Sequence, residues 1–130
     1  MNGPSDDGAI VSPRAPRPVG PYPHARRFGN LIFVSGIGPR DRETDGVPGG
    51  IEAQTRSAIE NVKAILEDAG SSLEKVIDVT VFLTDIDNDF AAFNRVYGEY
   101  FGAIRPSRTT VGVVALPTPI SIELKVVAGI

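Results

Sequence analysis

The stretch Lys75-Val-Ile-Asp-Val-Thr-Val-Phe-Leu-Thr-Asp85 decides the fold of this 130-residue chain. Aliphatic residues occupy every second position of it: Ile77, Val79, Val81 and Leu83. Successive side chains of a strand point to opposite faces, so this alternation predicts a strand with one buried face. Asp78, Thr80, Phe82 and Thr84 are predicted to lie on the other face.

An amphipathic segment lies on each side of this strand. The first has apolar residues at steps of three and four (Ala58, Ile59, Val62, Ile65, Leu66 and Ala69). Gly70 suits the left-handed position after a helix C-terminus. The second begins at Asp87-Asn-Asp89, which offers helix N-caps, and carries an aromatic stripe of Phe90, Phe93, Tyr97 and Phe101. The spacing therefore predicts two helices.

Three more strands are predicted, at 31–35, about 108–115 and about 120–128, the last two around a Pro117-Thr-Pro119 turn. The order of elements predicts an α+β fold, a mixed β-sheet with two helices on one face. Phe82 and Val127 are predicted on the face without helices, and we expect that face to be buried by oligomerisation.

The bulk composition limits the classes of protein to consider. The length indicates one domain, predicted at 18–130, after a flexible Pro- and Gly-rich arm at 1–17. A net charge of -3 argues against a nucleic-acid partner. No apolar run is long enough for a membrane span, and no signal peptide is evident, so we expect a cytoplasmic protein.

Several known motifs are present only in part, so the functions they indicate are excluded. Gly36-Ile-Gly38 lacks the third glycine and the following helix of a dinucleotide loop. Asp85, Asp87 and Asp89 lack the glycine and glutamate of a calcium loop, and helix capping explains them better. His24 is the only histidine and there is no cysteine, so no metal site is predicted.

Arg108 and Glu123 are the two candidates for chemistry. In 120–126 the apolar row of Ile120, Ile122, Leu124 and Val126 puts Glu123 on the opposite face. Arg108 and Thr110 share one face of their own strand. A guanidinium and a carboxylate on strand faces suggest a site for a small anionic substrate. The alternative is that both are solvated charges on exposed strand faces.

Several segments between Pro18 and the C-terminus resemble the reactive intermediate deaminase family (Rid, formerly YjgF). They include Gly20-Pro-Tyr22, Phe33-Val-Ser-Gly36, the aromatic helix with Asn94 and Tyr97, Pro106-Ser-Arg108 and Ile122-Glu123. The resemblance implies a chorismate-mutase-like fold. It also implies a homotrimer, or a hexamer built from it, whose sheets form a central barrel with ligand sites between subunits.

The resemblance also implies residue roles. Arg108 would bind the substrate carboxylate and Glu123 would position a water, while Gly36 and Thr110 face the ligand together with Asn94. Tyr22 would close the pocket. Hydrolysis of an imine needs orientation, water and proton transfer, so no cofactor is expected. Many family members carry cysteine at the position of Thr110 and glutamine at that of Ile37, so the pocket is expected to be specialised.

The stretches Tyr22-Pro-His-Ala-Arg-Arg27 and Ser35-Gly-Ile-Gly-Pro-Arg40 resemble the 2-aminomuconate deaminases of aromatic catabolism. That substrate has a second carboxylate, for which Arg40 and His24 are predicted donors, with Arg26 and Arg27 nearby. A solvated basic patch is the alternative for these arginines. A broad-specificity 2-imino acid deaminase and a non-catalytic carboxylate-binding trimer are the alternative functions.

Overall fold

The computed structural model describes residues 7–130 and contains six strands and two helices. Residues 1–6, part of the predicted arm, lie outside the described residues. The strands are β1 (Ala9–Ile10), β2 (Ala25–Phe28), β3 (Leu31–Ile37), β4 (Val76–Leu83), β5 (Ser107–Gly112) and β6 (Ile122–Gly129). The helices are α1 (Ile51–Asp68) and α2 (Ile86–Phe101), with a short 3₁₀ turn at Leu73–Lys75.

The strands form one mixed sheet in the order β1-β2-β3-β6-β4-β5. Only the β4–β5 pair is parallel among the described strands. Alternate residues of β6 are fully buried, and they join both helices in a single apolar core. The predicted α+β arrangement, two helices on a mixed sheet, is confirmed.

Strand β4 follows the predicted alternation from Val79 onward, where Val79, Val81 and Leu83 are fully buried. The prediction for Ile77 is wrong, because Ile77 is 49% exposed and its neighbour Val76 is buried. The pairing of β4 with β6 shifts register between Val76 and Asp78. Such an irregularity adds one residue to a strand and moves the residues before it to the opposite face.

The end of α1 matches its prediction closely. Gly70 has φ +84°, and its N–H donates to the Glu67 carbonyl, while the Ser71 N–H donates to the Leu66 carbonyl. These two bonds form a Schellman cap, for which glycine is favoured because a Cβ is strained at that φ. Helix α2 begins after Asp85, so the predicted caps Asp87 to Asp89 lie inside its first turn.

Residues 9–17 do not form the predicted flexible arm. β1 pairs with β2, and Ser12 is fully buried, where its hydroxyl donates to Asp68 at 2.6 Å. Arg14 also forms an ion pair with Asp68, at 3.0 Å. The contacts of Ser12 and Arg14 with Asp68 of α1 join residues far apart in the sequence. A segment rich in proline and arginine has no periodic pattern from which such contacts could be predicted.

Strand β2 was not predicted, because Ala25-Arg-Arg-Phe28 has no apolar alternation. It pairs with β3 through a two-residue turn at Gly29-Asn30, where Gly29 has φ +59°. Glycine-containing two-residue turns of this kind join tightly paired antiparallel strands. This hairpin places His24 and the preceding Pro-rich segment beside β3.

The face of the sheet away from the helices carries a row of cross-strand neighbours. Phe82 of β4 lies opposite Val111 of β5 and Glu123 of β6. In the neighbouring rows Phe33, which is partly exposed, lies opposite Val127. Within residues 7–130, no helix is long and apolar enough to cross a lipid bilayer.

Candidate active site

Strand register places Arg108 and Glu123 on opposite faces of the sheet. Arg108 lies beside Val79, whose side chain is buried under the helices. Glu123 lies beside Phe82 and precedes the buried Leu124, so it faces away from the helices. The predicted site residues therefore form two groups within one chain.

The Glu123 group lines a pocket at the irregular part of β3. Its members are Tyr22, Gly36, Arg40 and Glu123. The register of β3 against β6 shifts between Val34 and Ile37, which is where Gly36 lies. Sequence reasoning missed five further lining residues, Val19, Gly38, Pro117, Thr118 and Ile120, since turn residues carry no periodic signal.

Gly36 provides the space in which the Glu123 carboxylate lies. A Cβ added at Gly36 would be 2.5 Å from Oε2 of Glu123, well inside van der Waals contact. Burial raises the pKa of the Glu123 carboxyl. The carboxylate has no hydrogen-bond partner among the described residues, so its oxygens are available to a water or a ligand. A carboxyl whose pKa is raised by burial in a pocket is suited to accept and return a proton.

Replacing Gly36 with alanine is expected to lower kcat by roughly 10- to 100-fold while leaving the protein folded, because displaced catalytic groups lose alignment. The added methyl group meets the flexible end of Glu123, which can rotate away from the pocket. Steady-state kinetics and thermal unfolding would be measured on the same preparation. Gly49→Ala is the matched control, since no atom lies within 4 Å of its added Cβ. Unchanged kcat in Gly36→Ala would show that the position of Glu123 is unimportant.

Tyr22 lies at the rim of the same pocket on a tight turn. Its hydroxyl accepts a hydrogen bond from the Val19 N–H at 3.3 Å, and its own N–H donates to the Gly20 carbonyl. A Cβ on Gly20 would approach the tyrosine ring to 3.0 Å. The turn therefore fixes the position of the ring at the pocket, and closure of the pocket by Tyr22 stays a prediction.

Arg40 is the one basic residue lining this pocket in the described chain. Its Nη1 is 2.8 Å from Oδ1 of Asp45, and its Nη2 donates to the Arg17 carbonyl at 2.6 Å. Arg26 and Arg27 are exposed on β2 and do not line the pocket. Of the three arginines predicted near the second carboxylate, only Arg40 therefore lines the pocket of Glu123.

His24 differs from its predicted role as a substrate donor. It is 1% exposed, its Nδ1 accepts from the Ser12 N–H at 3.0 Å, and its Nε2 is 2.7 Å from the Pro16 carbonyl. A carbonyl only accepts, so Nε2 carries the hydrogen and the ring is neutral. Both nitrogens are engaged by the main chain, and neither is left to bind a substrate.

Lowering the pH from 8 to 5.5 is expected to destabilise the protein through His24. Burial is the main cause that lowers the pKa of His24, and the nearby Arg42 lowers it further. The Pro16 carbonyl and Asp68 raise this pKa and offset part of the effect. From about pH 6.5 downward the unfolded chain binds a proton at His24, whereas the folded chain does not. The free energy of unfolding therefore decreases as pH falls. Urea midpoints at several pH values would measure this.

His24→Asn is the control for that titration, since it keeps an acceptor near Nδ1 and cannot be charged. His24 is the only histidine, so the variant should lose the part of the pH dependence that His24 causes, and its midpoint should fall less between pH 8 and 5.5. An equal slope in both proteins would assign the pH dependence to other groups.

The Arg108 group lies on the helix side of edge strand β5. The guanidinium carbon is 5.8, 5.1 and 4.7 Å from the ring centres of Phe90, Phe93 and Tyr97. These cation–π contacts hold a charged side chain in an aromatic setting. The spacing of the aromatic stripe predicted only a helix, although an arginine on a neighbouring strand could have indicated that the stripe also contacts a cation.

Thr110 and Asn94 belong to the same side of the sheet as Arg108. Thr110 follows Arg108 by two residues, and Asn94 is one helical turn from Phe90 and partly buried. The hydroxyls of Thr110 and Tyr97 are buried without a hydrogen-bond partner among the described residues. Buried polar groups normally have a partner, so these two hydroxyls, on the same side of the sheet as Arg108, are candidates for contact with a polar ligand.

Within residues 7–130, no group of three or more histidine, cysteine, aspartate or glutamate side chains is placed to hold a metal ion. The two groups together contain a carboxylate, two guanidiniums and neutral hydrogen-bonding side chains.

Comparison with known proteins identifies the family. The model of the family described as Endoribonuclease L-PSP matches residues 12–130. A RutC family protein of Pyrococcus abyssi is 51% identical over 120 residues, covering 92% of this chain and 94% of the relative. The chain belongs to this family, which is also called YjgF or Rid.

Two further matches concern one Escherichia coli protein. A protein of strain K12 provisionally named reactive intermediate deaminase TdcF is 39% identical over 122 residues, covering 92% of this chain and 94% of its own length. The crystal structure of Escherichia coli TdcF with bound serine superposes with a TM-score of 0.88 at 38% identity, covering 94% of this chain and 98% of that one.

Proposed function

We propose that this protein is a cofactor-free deaminase that hydrolyses an imine or enamine acid, with 2-aminomuconate as its substrate. The observation that carries the proposal is the placement of an unpaired, partly buried Glu123 against Gly36, in a pocket that also contains Arg40. The relative named as a reactive intermediate deaminase supports the reaction class.

The proposed active site needs two copies of the chain. Arg108 and Glu123 lie on opposite faces of one sheet, so one substrate cannot bridge them within a single subunit without crossing the strands. The face without helices exposes apolar residues such as Phe33, which a second subunit would bury. We therefore propose a homotrimer in which the Glu123 group of one subunit meets the Arg108 group of its neighbour.

In the proposed reaction Arg108 binds the carboxylate next to the reacting carbon. The substrate enters as its imine tautomer, and a water held by Glu123 adds its oxygen to the imine carbon while its proton passes to the carboxylate. Glu123 returns that proton to the nitrogen of the carbinolamine. The hydroxyl of the carbinolamine then gives its proton to the same nitrogen through Glu123 as the carbon–nitrogen bond breaks, so that ammonia leaves and the 2-oxo acid 4-oxalocrotonate remains.

The ligand class follows from the charges. Arg108 can form two parallel bonds to a carboxylate, and Arg40 supplies a second cation in the Glu123 pocket. The bound serine of the TdcF crystal structure is also an amino acid with a carboxylate. A net charge of -3 argues against RNA as the ligand, despite the family's description.

A broad-specificity 2-imino acid deaminase is the second candidate. The observation that favours it is the ion pair between Arg40 and Asp45, which already compensates the second cation. In that case a monocarboxylate such as 2-iminobutyrate would be the better substrate.

Ammonia release separates the two candidates. The protein would be assayed with enzymatically generated 2-aminomuconate and with 2-iminobutyrate at matched concentration, each against spontaneous hydrolysis. A higher kcat/KM for 2-aminomuconate supports the proposed function, and a higher value for 2-iminobutyrate supports the broad deaminase. Absence of acceleration with both, together with measurable binding of a 2-oxo acid, would indicate a carboxylate-binding protein.

A further inference from the structure

The loop that follows Arg40 is closed by its own hydrogen bonds. Oδ1 of Asp41 accepts from the N–H groups of Glu43 and Thr44 at 2.8 and 3.0 Å. The Asp41 N–H donates to the Gly46 carbonyl and the Asp45 N–H to the Asp41 carbonyl, each at 2.9 Å. This loop, residues 41–46, therefore keeps its shape without help from the Asp45 side chain.

Asp45 directs its carboxylate at the pocket-lining arginine. Asp45 has φ +58°, a left-handed conformation that aspartate tolerates better than most residues. Its side chain is 71% exposed, whereas that of Arg40 is 16% exposed. The pair thus joins a sheltered cation, which lines the site, to an acid that remains in solvent.

Arg40 has a second anchor that does not depend on Asp45. Its Nη2 donates to the Arg17 carbonyl at 2.6 Å, and the Asn61 side chain donates to the Arg40 carbonyl at 3.1 Å. If Asp45 moved into solvent, the main chain of Arg40 and one end of its guanidinium would stay in place. The guanidinium would then lack a carboxylate partner while still lining the pocket.

We propose that Asp45 is a specificity-determining residue, an internal carboxylate that competes with the distal carboxylate of a dicarboxylic substrate for Arg40. The proposal rests on the proposed function, because the site must accept a carboxylate at Arg40. A dicarboxylate displaces Asp45 and restores the charge balance of Arg40. A monocarboxylate leaves the Arg40–Asp45 pair intact and binds only through the Arg108 end.

The Asp45 side chain is largely exposed to solvent, and this exposure determines how strongly it competes with a substrate carboxylate for Arg40. An ion pair with one solvent-exposed partner is weak, so a substrate carboxylate can displace it at small cost. Removing the charge of Asp45 is expected to improve the KM for the dicarboxylate about two- to fivefold, the range that an exposed pair supports. The KM for a monocarboxylate should not change.

The test compares Asp45→Asn with the unsubstituted protein, using 2-aminomuconate and 2-iminobutyrate. Asparagine tolerates the same left-handed conformation, which preserves the loop. Asp87→Asn is the matched control, because Asp87 is an exposed acid in the first turn of α2 and its replacement changes net charge equally. The expected result is a lower KM for 2-aminomuconate alone, with kcat unchanged, and no effect of Asp87→Asn.

Arg40→Gln supplies the coupling test. Its KM for the dicarboxylate should rise roughly 10- to 100-fold, the loss of a charge-assisted contact. Adding Asp45→Asn to Arg40→Gln should then have no further effect. An improvement that persists without Arg40, an equal change for both substrates, or no change in Asp45→Asn would each overturn the proposal.

A binding measurement keeps this proposal separate from the proposed reaction. Calorimetric titration with the unreactive dicarboxylate cis,cis-muconate and the monocarboxylate 2-oxobutyrate needs no turnover. Tighter binding of muconate alone in Asp45→Asn supports the competition even if no ammonia is released. Equal affinities in both proteins contradict it even if deamination is confirmed.

Discussion

Arg108→Ala is expected to lower kcat/KM for imine hydrolysis by roughly 10²- to 10⁴-fold, the loss of two charge-assisted hydrogen bonds to one carboxylate. The guanidinium is the cationic group of its half of the site, and Phe90, Phe93 and Tyr97 hold it at 4.7–5.8 Å. Steady-state kinetics on saturating and limiting substrate would separate lost binding from lost turnover.

The alanine variant is expected to stay folded, because β5 is an edge strand and Arg108 is only partly buried. Arg108→Lys keeps the charge but not the planar pair of donors, so it should recover only part of the activity. Arg26→Ala, at an exposed arginine of β2, is the matched control and should remain near full activity. Near-normal kcat/KM in Arg108→Ala would remove Arg108 from the mechanism.

Glu123→Gln is expected to lower kcat by roughly 10²- to 10⁴-fold, the usual contribution of a positioned general acid–base group. Glutamine keeps the size of the side chain against Gly36 but cannot accept a proton from water. Glu74→Gln, at an exposed position of the 3₁₀ turn, removes the same charge elsewhere and should have no effect. A Glu123→Gln variant that retains its kcat would leave solvent as the only base.

The pH dependence of the activity of the unsubstituted protein gives a second test of Glu123 as the base. Burial raises the pKa of this carboxyl, and the base form is lost as pH falls through that raised value. The activity should therefore decline on the acid side at a higher pH than for an ordinary glutamate, and the residual activity of Glu123→Gln should lack that step. Assays with pH-matched blanks for spontaneous imine hydrolysis would measure both profiles.

Mixing Arg108→Ala with Glu123→Gln tests whether Arg108 and Glu123 of one site come from different subunits. If each site pairs Glu123 of one subunit with Arg108 of its neighbour, random mixed oligomers restore about a quarter of the sites. Unfolding and refolding the variants together, against each refolded alone, would show the recovery. No recovery from confirmed mixed oligomers would contradict the proposed pairing of Glu123 with Arg108 of a neighbouring subunit.

The local features of the fold were predictable where a pattern repeats along the chain. Helix α1, its cap at Gly70 and the buried row of β6 follow from the spacing of apolar residues and one glycine. The packed residues 9–17 and strand β2 were not predictable, since partners far along the chain hold them. The role of His24 was not predictable for the same reason. Its ring is hydrogen-bonded to the main chain of Ser12 and Pro16, so it is a structural residue and not the predicted substrate ligand.

The sequence by itself determined which residues share a face along the regular parts of β4, β5 and β6, including the position of Glu123 opposite the apolar row of β6. The alternation of side chains along a strand is a local property of the backbone and can be read directly. Only the tertiary structure decided that Arg108 and Glu123 lie on opposite faces of the sheet. That relation depends on which face of β5 the helices cover and on the register of β4 between β5 and β6, and no pattern within one strand contains either.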